Sequence, residues 1–234
     1  MRKPEVLSSI RASALPPRVQ EYLARIACGE RGSALKAGLK KDPAGLAAEA
    51  GRLLAAAGRI LDRPGDEALY ITGFNPNNMA PGRFEAALAE LRAAAFLRRE
   101  GFREISFIAQ ARGISADISG VKGGRGYVFE VCCLEAAAGQ LPAAALLGVK
   151  YEKKKRQLNT ARKKRGIRRG GLFFACNPLG LGAGVDEAAL GKLARAVYEE
   201  KKSPAFTHLC LLSGSRGAFF PPWERAVGAV WRVE

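Results

Sequence analysis

Apolar positions follow two different rhythms along this chain. Up to about residue 62 they recur at helical spacing. Pro16-Pro17 predicts a helix start, carried on by Val19, Tyr22, Leu23 and Ile26 and stopping near Gly29. Asp42-Pro43 has the form of an N-cap followed by proline at the first helical position. Leu46, Ala50, Leu53, Leu54, Ile60 and Leu61 then share one face until Pro64-Gly65. The turn formers of Gly73-Phe74-Asn75-Pro76-Asn77-Asn78 predict a boundary or a lid-like loop.

After Pro81 short apolar runs begin to alternate with helical periods. Phe84, Leu88, Leu91, Ala95 and Phe96 predict a helix closed by Gly101. Strands are expected at 104–108, 114–119 and 127–132, with residues 120–126 as a glycine-rich hairpin turn between the last two. A helix starting between Ala143 and Leu147 is expected to reach about Lys164. Gly170-Gly171 then introduces a strand at 172–176, Asp186 caps a further helix ending near Ser203-Pro204, and 206–212 is apolar enough for another strand. The order α-β-β-β-α-β-α-β predicts an α/β fold, a mixed sheet flanked by helices on both faces. Residues 1–75 read as an α-helical N-terminal region and 81–234 as the α/β domain.

Composition narrows the function. The 234 residues are 48% hydrophobic, enough for a core in one or two domains, and no apolar run approaches the ~18–20 residues that cross a bilayer. The start, Met1-Arg2-Lys3-Pro4, leads into no apolar stretch of the kind a secretory signal needs. Five cysteines without CxxC spacing point to reduced thiols and a cytoplasmic location, and a single histidine removes most histidine metal sites and triads. The net charge of +16 is focused: residues 150–169 hold eleven basic residues and only Glu152 against them. Such a patch calls for a polyanion, and nucleic acid, DNA first, is the expected partner; a membrane surface is not, for want of interleaved Trp, Phe and Leu. The interface expected from this stretch is Lys150, Lys153, Lys154, Lys155, Arg156, Arg162, Lys163, Lys164, Arg165, Arg168 and Arg169.

Two acids stand inside apolar runs: Asp117 in Ile114-Ser115-Ala116-Asp117-Ile118, and Glu130 between Phe129 and Val131. Carboxylates are costly there unless paired or bound to a cation. One from each of two adjacent strands would make an oxygen-rich site for Mg²⁺ or Mn²⁺. The plainer alternative is that both meet solvent or pair with Lys and Arg.

Residues 83–212 resemble the restriction-endonuclease-like PD-(D/E)xK nuclease superfamily, in particular the branch holding archaeal Holliday-junction resolvases. The resemblance is carried by Glu90-Leu91-Arg92-Ala93-Ala94-Ala95-Phe96-Leu97 closed by Glu100-Gly101-Phe102, by Ala116-Asp117-Ile118, and by Tyr127-Val128-Phe129-Glu130-Val131. It implies a core of order α-β-β-β-α-β, Asp117 and Glu130 as catalytic metal ligands, Glu90 as an outer acidic ligand, Mg²⁺ or Mn²⁺ as cofactor, cleavage of DNA, and pairing of two chains to cut both strands. One position departs from the pattern. The family lysine two residues after the glutamate is Cys132 here, and a thiol supplies no permanent ammonium. Either a lysine of the following helix takes over (Lys150, Lys153 or Lys154, on a stripe with Gln157), or catalysis is lost and a nucleic-acid-binding module remains; an RNA-directed protein with structural carboxylates is the third reading. Leu147, Tyr151 and Leu158 form a second stripe of that helix, suited to the core.

Other signals read as structural. Residues 180–184 have the glycines of a phosphate loop without its strand-turn-helix spacing, and Gly191-Lys192 lacks a preceding P-loop. His208 and the pair Cys132-Cys133 are expected in the core, and Trp223 and Trp231 are expected to pack the C-terminal tail.

Overall fold

The computed structural model describes residues 2–108, 117–134, 140–180 and 184–223. Ile114, Ser115 and Ala116 of the expected second strand, the middle of the 180–184 loop and Trp231 lie outside them. Among the described residues six strands form one sheet in sequential order: β1 (Arg103–Phe107), β2 (Ile118–Lys122), β3 (Arg125–Leu134), β4 (Arg169–Cys176), β5 (Thr207–Ser213) and β6 (Arg216–Phe220). The pairs β1–β2, β2–β3 and β5–β6 are antiparallel; β3–β4 and β4–β5 are parallel. The parallel steps need crossovers, supplied by α7 (Ala144–Arg165) and α8 (Glu187–Glu200). Both cover one face through Leu147, Tyr151, Leu158, Leu190 and Val197, while α6 (Arg83–Arg99) covers the other through Ala89, Ala93, Phe96 and Leu97. The fold is thus α/β, a mixed sheet with helices on both faces.

Local chemistry explains where the strands differ from expectation. Gly123 and Gly124 adopt φ of 57° and 70°, so the hairpin closes in two residues and both strands run through glycines 120 and 126 instead of stopping at them. Gly170 and Gly171 lie inside β4 because the neighbouring strands press on it. A Cβ on Gly171 would stand 2.8 Å from His208 O, and one on Gly170 would collide with Val128 O. β6 follows β5 through a turn at Gly214, φ 60°, and has too little alternation to be legible in the sequence.

Five helices precede the sheet: α1 (Lys3–Arg11), α2 (Pro17–Cys28), α3 (Ala34–Lys41), α4 (Pro43–Leu61) and α5 (Gly65–Ile71). Asp42 caps α4 by accepting Gly45 N–H at 2.8 Å, and Ser33 caps α3. Short α1, α3 and α5 carry too few turns to show a period. Their core continues onto α6 through Phe84, Leu88 and Leu91. The expected boundary loop is anchored within it: the Phe74 ring sits 5.0 Å from Tyr22 and 5.6 Å from Phe84. Arg92, on the Phe84–Leu88 stripe of α6, is buried and donates to Glu49 Oε1 of α4 (2.7 Å) and to Pro178 O beyond β4 (2.6 Å). One guanidinium therefore ties the helical region to the sheet.

Burial pushes the Glu49 carboxyl up, but hydrogen bonds and charge from Arg92 and Arg52 outweigh it and hold the group below its ordinary value. A depressed carboxyl stabilises above its unfolded-state pKa, and that stability is lost as pH falls toward the folded value. Arg92→Met is predicted to cost about 2 kcal/mol in urea unfolding at pH 7, because Pro178 O loses its donor and Glu49 keeps only the exposed Arg52 as partner. The deficit should shrink as pH falls through the depressed folded-state value of Glu49, because the carboxyl is then protonated in either protein.

Candidate active site

Asp117 and Glu130 come together. Asp117 immediately precedes β2, and its N–H donates to Phe129 O at 2.9 Å while its Oδ2 accepts Val131 N–H at 2.7 Å, two bonds to β3 that straddle Glu130. Its own carbonyl accepts Ile108 N–H at 3.0 Å, so the chain is pinned on both sides. Glu130 points away from the Phe129 and Val131 side of β3, toward α7, and is 0% exposed. There it meets Lys154: Nζ stands 2.8 Å from Glu130 Oε2 and 3.9 Å from Asp117 Oδ2. One ammonium thus serves two carboxylates from neighbouring strands.

The ammonium and the carboxylates of this triad act on one another. Burial raises the Asp117 carboxyl, against the lowering effects of Lys154 and the Val131 N–H. Burial alone would depress Lys154, but Asp117 and Glu130 overcome it and hold the ammonium above its usual range. Glu90 on α6 is lifted well above an ordinary glutamate by burial, by Asp117 and by Glu130, with Lys154 opposing. Glu90 therefore lies within reach of the charges at the site. It does not complete a ligand set: among the described residues no three Asp, Glu, His or Cys side chains are grouped to hold a metal ion. The carboxyl expected as an outer ligand is thus one whose protonation answers to the pair.

A cleft of about 840 Å³ opens beside Lys154. Its walls come from the ends of β3 and β4 (Val131 to Leu134, and Asn177 to Leu179), from the start of α3 (Ser33, Ala34) and from the start of α6 (Gly82, Glu85, Ala86). Cys132 and Cys133 line it half-buried, a correction to the core position expected for them. Burial raises the Cys132 thiol, against the nearby Lys154, Lys150 and Lys153, which leaves it neutral near pH 7.

No protein-family model, curated protein or solved structure matches this chain. The chemistry of the site rests on its own geometry.

That geometry sorts the basic stretch. On α7, Lys150, Lys153 and Arg156 are exposed, whereas Lys154 turns inward to the carboxylates. Gln157, one turn further on, is half-buried with its amide oxygen enclosed. Lys163, Lys164 and Arg165 are exposed at the end of α7, as is Arg168 beyond it, while Arg169 is half-buried at the start of β4. Lys155 is half-buried, its ammonium 5.4 Å from the Tyr151 ring. Arg162 is a correction: it is 7% exposed, donates to Thr207 Oγ1 and Phe206 O at 3.0 Å each, and lies over the Phe206 ring, so it anchors α7 to β5 and offers nothing to a phosphate. Burial also lowers its pKa to about 10. The sequence carried a signal for this, since Arg162 follows Leu158 and Ala161 on the apolar stripe. His208 lies in the core as expected, its Nδ1 2.9 Å from Pro221 O, and Trp223 packs against Phe102 and Phe219. No described helix is long and apolar enough to cross a membrane.

Lys154→Met would leave two apposed, largely buried carboxylates without their cation. It is predicted to destabilise the protein by about 3 kcal/mol at pH 7 in urea unfolding. Because the carboxyls then take up protons more readily, the loss should be smaller at pH 5 than at pH 8.

Proposed function

We propose that this chain is a divalent-metal-dependent nuclease of the restriction-endonuclease-like PD-(D/E)xK type, acting on DNA, with the family lysine relocated from position 132 to Lys154. The observation that carries the reading is the ammonium of α7 within 4 Å of both strand carboxylates, beside the half-buried Cys132 that stands at the family's lysine position. Asp117 and Glu130 already converge on one cationic group, which is the requirement for sharing a cation. Mg²⁺ commonly takes only one or two protein carboxylates, with water and substrate phosphate completing its shell, so this pair suffices. Asp117 and Glu130 would hold the ion, which when bound supplies a water of lowered pKa and polarises the phosphate.

The remaining chemistry belongs to the chain. Lys154, steadied by Glu130, is a fixed donor beside the reacting phosphate; it orients the attacking water and offsets the charge that develops on the phosphoryl oxygens. Val131 N–H holds Asp117 in place, so its carboxylate does not swing with each turnover. Glu90 is close enough to feel both carboxylates, and their charge together with burial holds its carboxyl well above an ordinary glutamate. Exposed Lys150, Lys153, Arg156, Lys163, Lys164, Arg165 and Arg168 grip the backbone without reading sequence. A binding module without catalysis is the competing reading, favoured by the neutral thiol of Cys132.

The test is cleavage of plasmid, linear and branched DNA by the purified chain with Mg²⁺ or Mn²⁺. Asp117→Ala and Glu130→Ala are expected to abolish it, and Lys154→Ala to slow it by about 10²–10³, the usual cost of one transition-state donor. Lys153→Ala, which weakens backbone contact only, should leave the turnover rate at saturating DNA within twofold. Salt-sensitive binding with no cleavage of any substrate would establish the binding module instead, and a preference for folded RNA in competition would redirect the reading to RNA. Replacing Lys153, Arg156 and Lys163 by Gln is expected to lower the slope of log affinity against log salt by about one for each phosphate no longer neutralised.

A further inference from the structure

The cleft at the end of β3 and β4 has no task in the mechanism above, yet it begins at the catalytic ammonium, and Lys154 is part of its wall. Its about 840 Å³ falls within the roughly 300–1,000 Å³ of sites that enclose a small organic group. Most of the lining is small or apolar: Ala34, Ala86, Val131, Leu134 and Leu179. Glu85 and Asn177 are polar members of the lining, and Asn177 holds the left-handed region at φ 48°, which turns the chain as it leaves β4. With the scissile phosphate held at Asp117, Glu130 and Lys154 as proposed above, the largely apolar cleft that Lys154 also lines suits a flat, largely apolar body attached to that phosphate. A nucleotide has that build.

We infer that the cleft receives an unpaired base next to the scissile phosphate, so that the substrate class is single-stranded nucleic acid or duplex with unpaired nucleotides at the cut; this rests on the nuclease reading of the same site. A base stacked inside a duplex is shielded on both faces and cannot enter a recess, whereas an unstacked one can, at little cost when it is already unpaired. Burying a base face against apolar walls is worth about 1–3 kcal/mol per base, enough for a clear preference without any reading of sequence. The helical N-terminal region gains a role as well, since the start of α3 forms one wall of the recess.

The test uses the full chain and a single-stranded oligonucleotide against the same strand in a blunt duplex. Cleavage is followed with Mn²⁺, and binding is followed in EDTA by the fluorescence of 2-aminopurine within the strand. Wild type is expected to cleave the unpaired strand at least tenfold faster. Ala34→Trp, at an exposed position of the wall, should bring that ratio near one while leaving salt-dependent duplex affinity unchanged, which shows that the variant is folded; Ala86→Trp is the second filling variant. Equal cleavage of both substrates by wild type and by the filled variants overturns the inference and leaves the nuclease reading standing. Should nothing be cleaved, the nuclease reading falls and binding decides the cleft: a preference for the unpaired strand that Ala34→Trp removes supports it, and identical affinities with and without the tryptophan overturn it.

Discussion

The ion pair between Glu130 and Lys154 is the constraint on which this structure turns. Glu130 stands in the middle of β3 with no exposure, an environment that would not tolerate an isolated carboxylate. The ammonium that compensates it comes from the crossover helix that follows β3, so neutrality is reached only when α7 lies across β3 in one rotation and one register. A pair of this kind stabilises less than a well-packed apolar pair would, but losing either member is strongly destabilising. It therefore acts more as a specification of geometry than as a source of stability. Asp117, tied to the Val131 N–H and drawn to the same ammonium, extends the specification to the start of β2.

The second organising element is α6. It is buried on almost every side, with Phe84 and Leu88 facing the five N-terminal helices and Ala93 and Phe96 facing the sheet. Two cores thus meet on one helix, and Arg92 adds a polar tie from α4 to the chain beyond β4. The same helix carries Glu90 toward the paired carboxylates and begins at the cleft, so packing of the helical region and the shape of the site are mechanically joined. An N-terminal region that looked separable by sequence supplies part of the wall of the cleft beside Lys154.

Charge is divided along α7 in the same way. Arg162 and Lys154, both counted among a run of basic residues, turn inward to satisfy Thr207 and Phe206 in one case and Glu130 in the other. Their exposed neighbours keep the positive surface. One helix therefore anchors the sheet through Tyr151, Leu158 and Arg162, meets both carboxylates through Lys154, and keeps Lys150, Lys153 and Arg156 exposed as a positive surface.

Much of this was written locally in the sequence. Helical and strand periods, the Asp42 and Asp186 caps, the order of elements after Pro81, the two misplaced acids and the concentrated positive charge all depend on residues near one another in the chain, where propensity and spacing act directly. Short elements such as α1, α3, α5 and β6 span too few residues for a period to emerge. Which lysine meets the carboxylates was a tertiary decision. Successive residues on a helix point about 100° apart, so Lys153 and Lys154 are equivalent in sequence and opposite in environment once α7 packs on the sheet. The packing of Tyr151 and Leu158 against the sheet turns Lys154 inward, leaves Lys153 in solvent, and buries Arg162 among the residues of β5, because a helix has only one rotation that closes its apolar stripe against a neighbour.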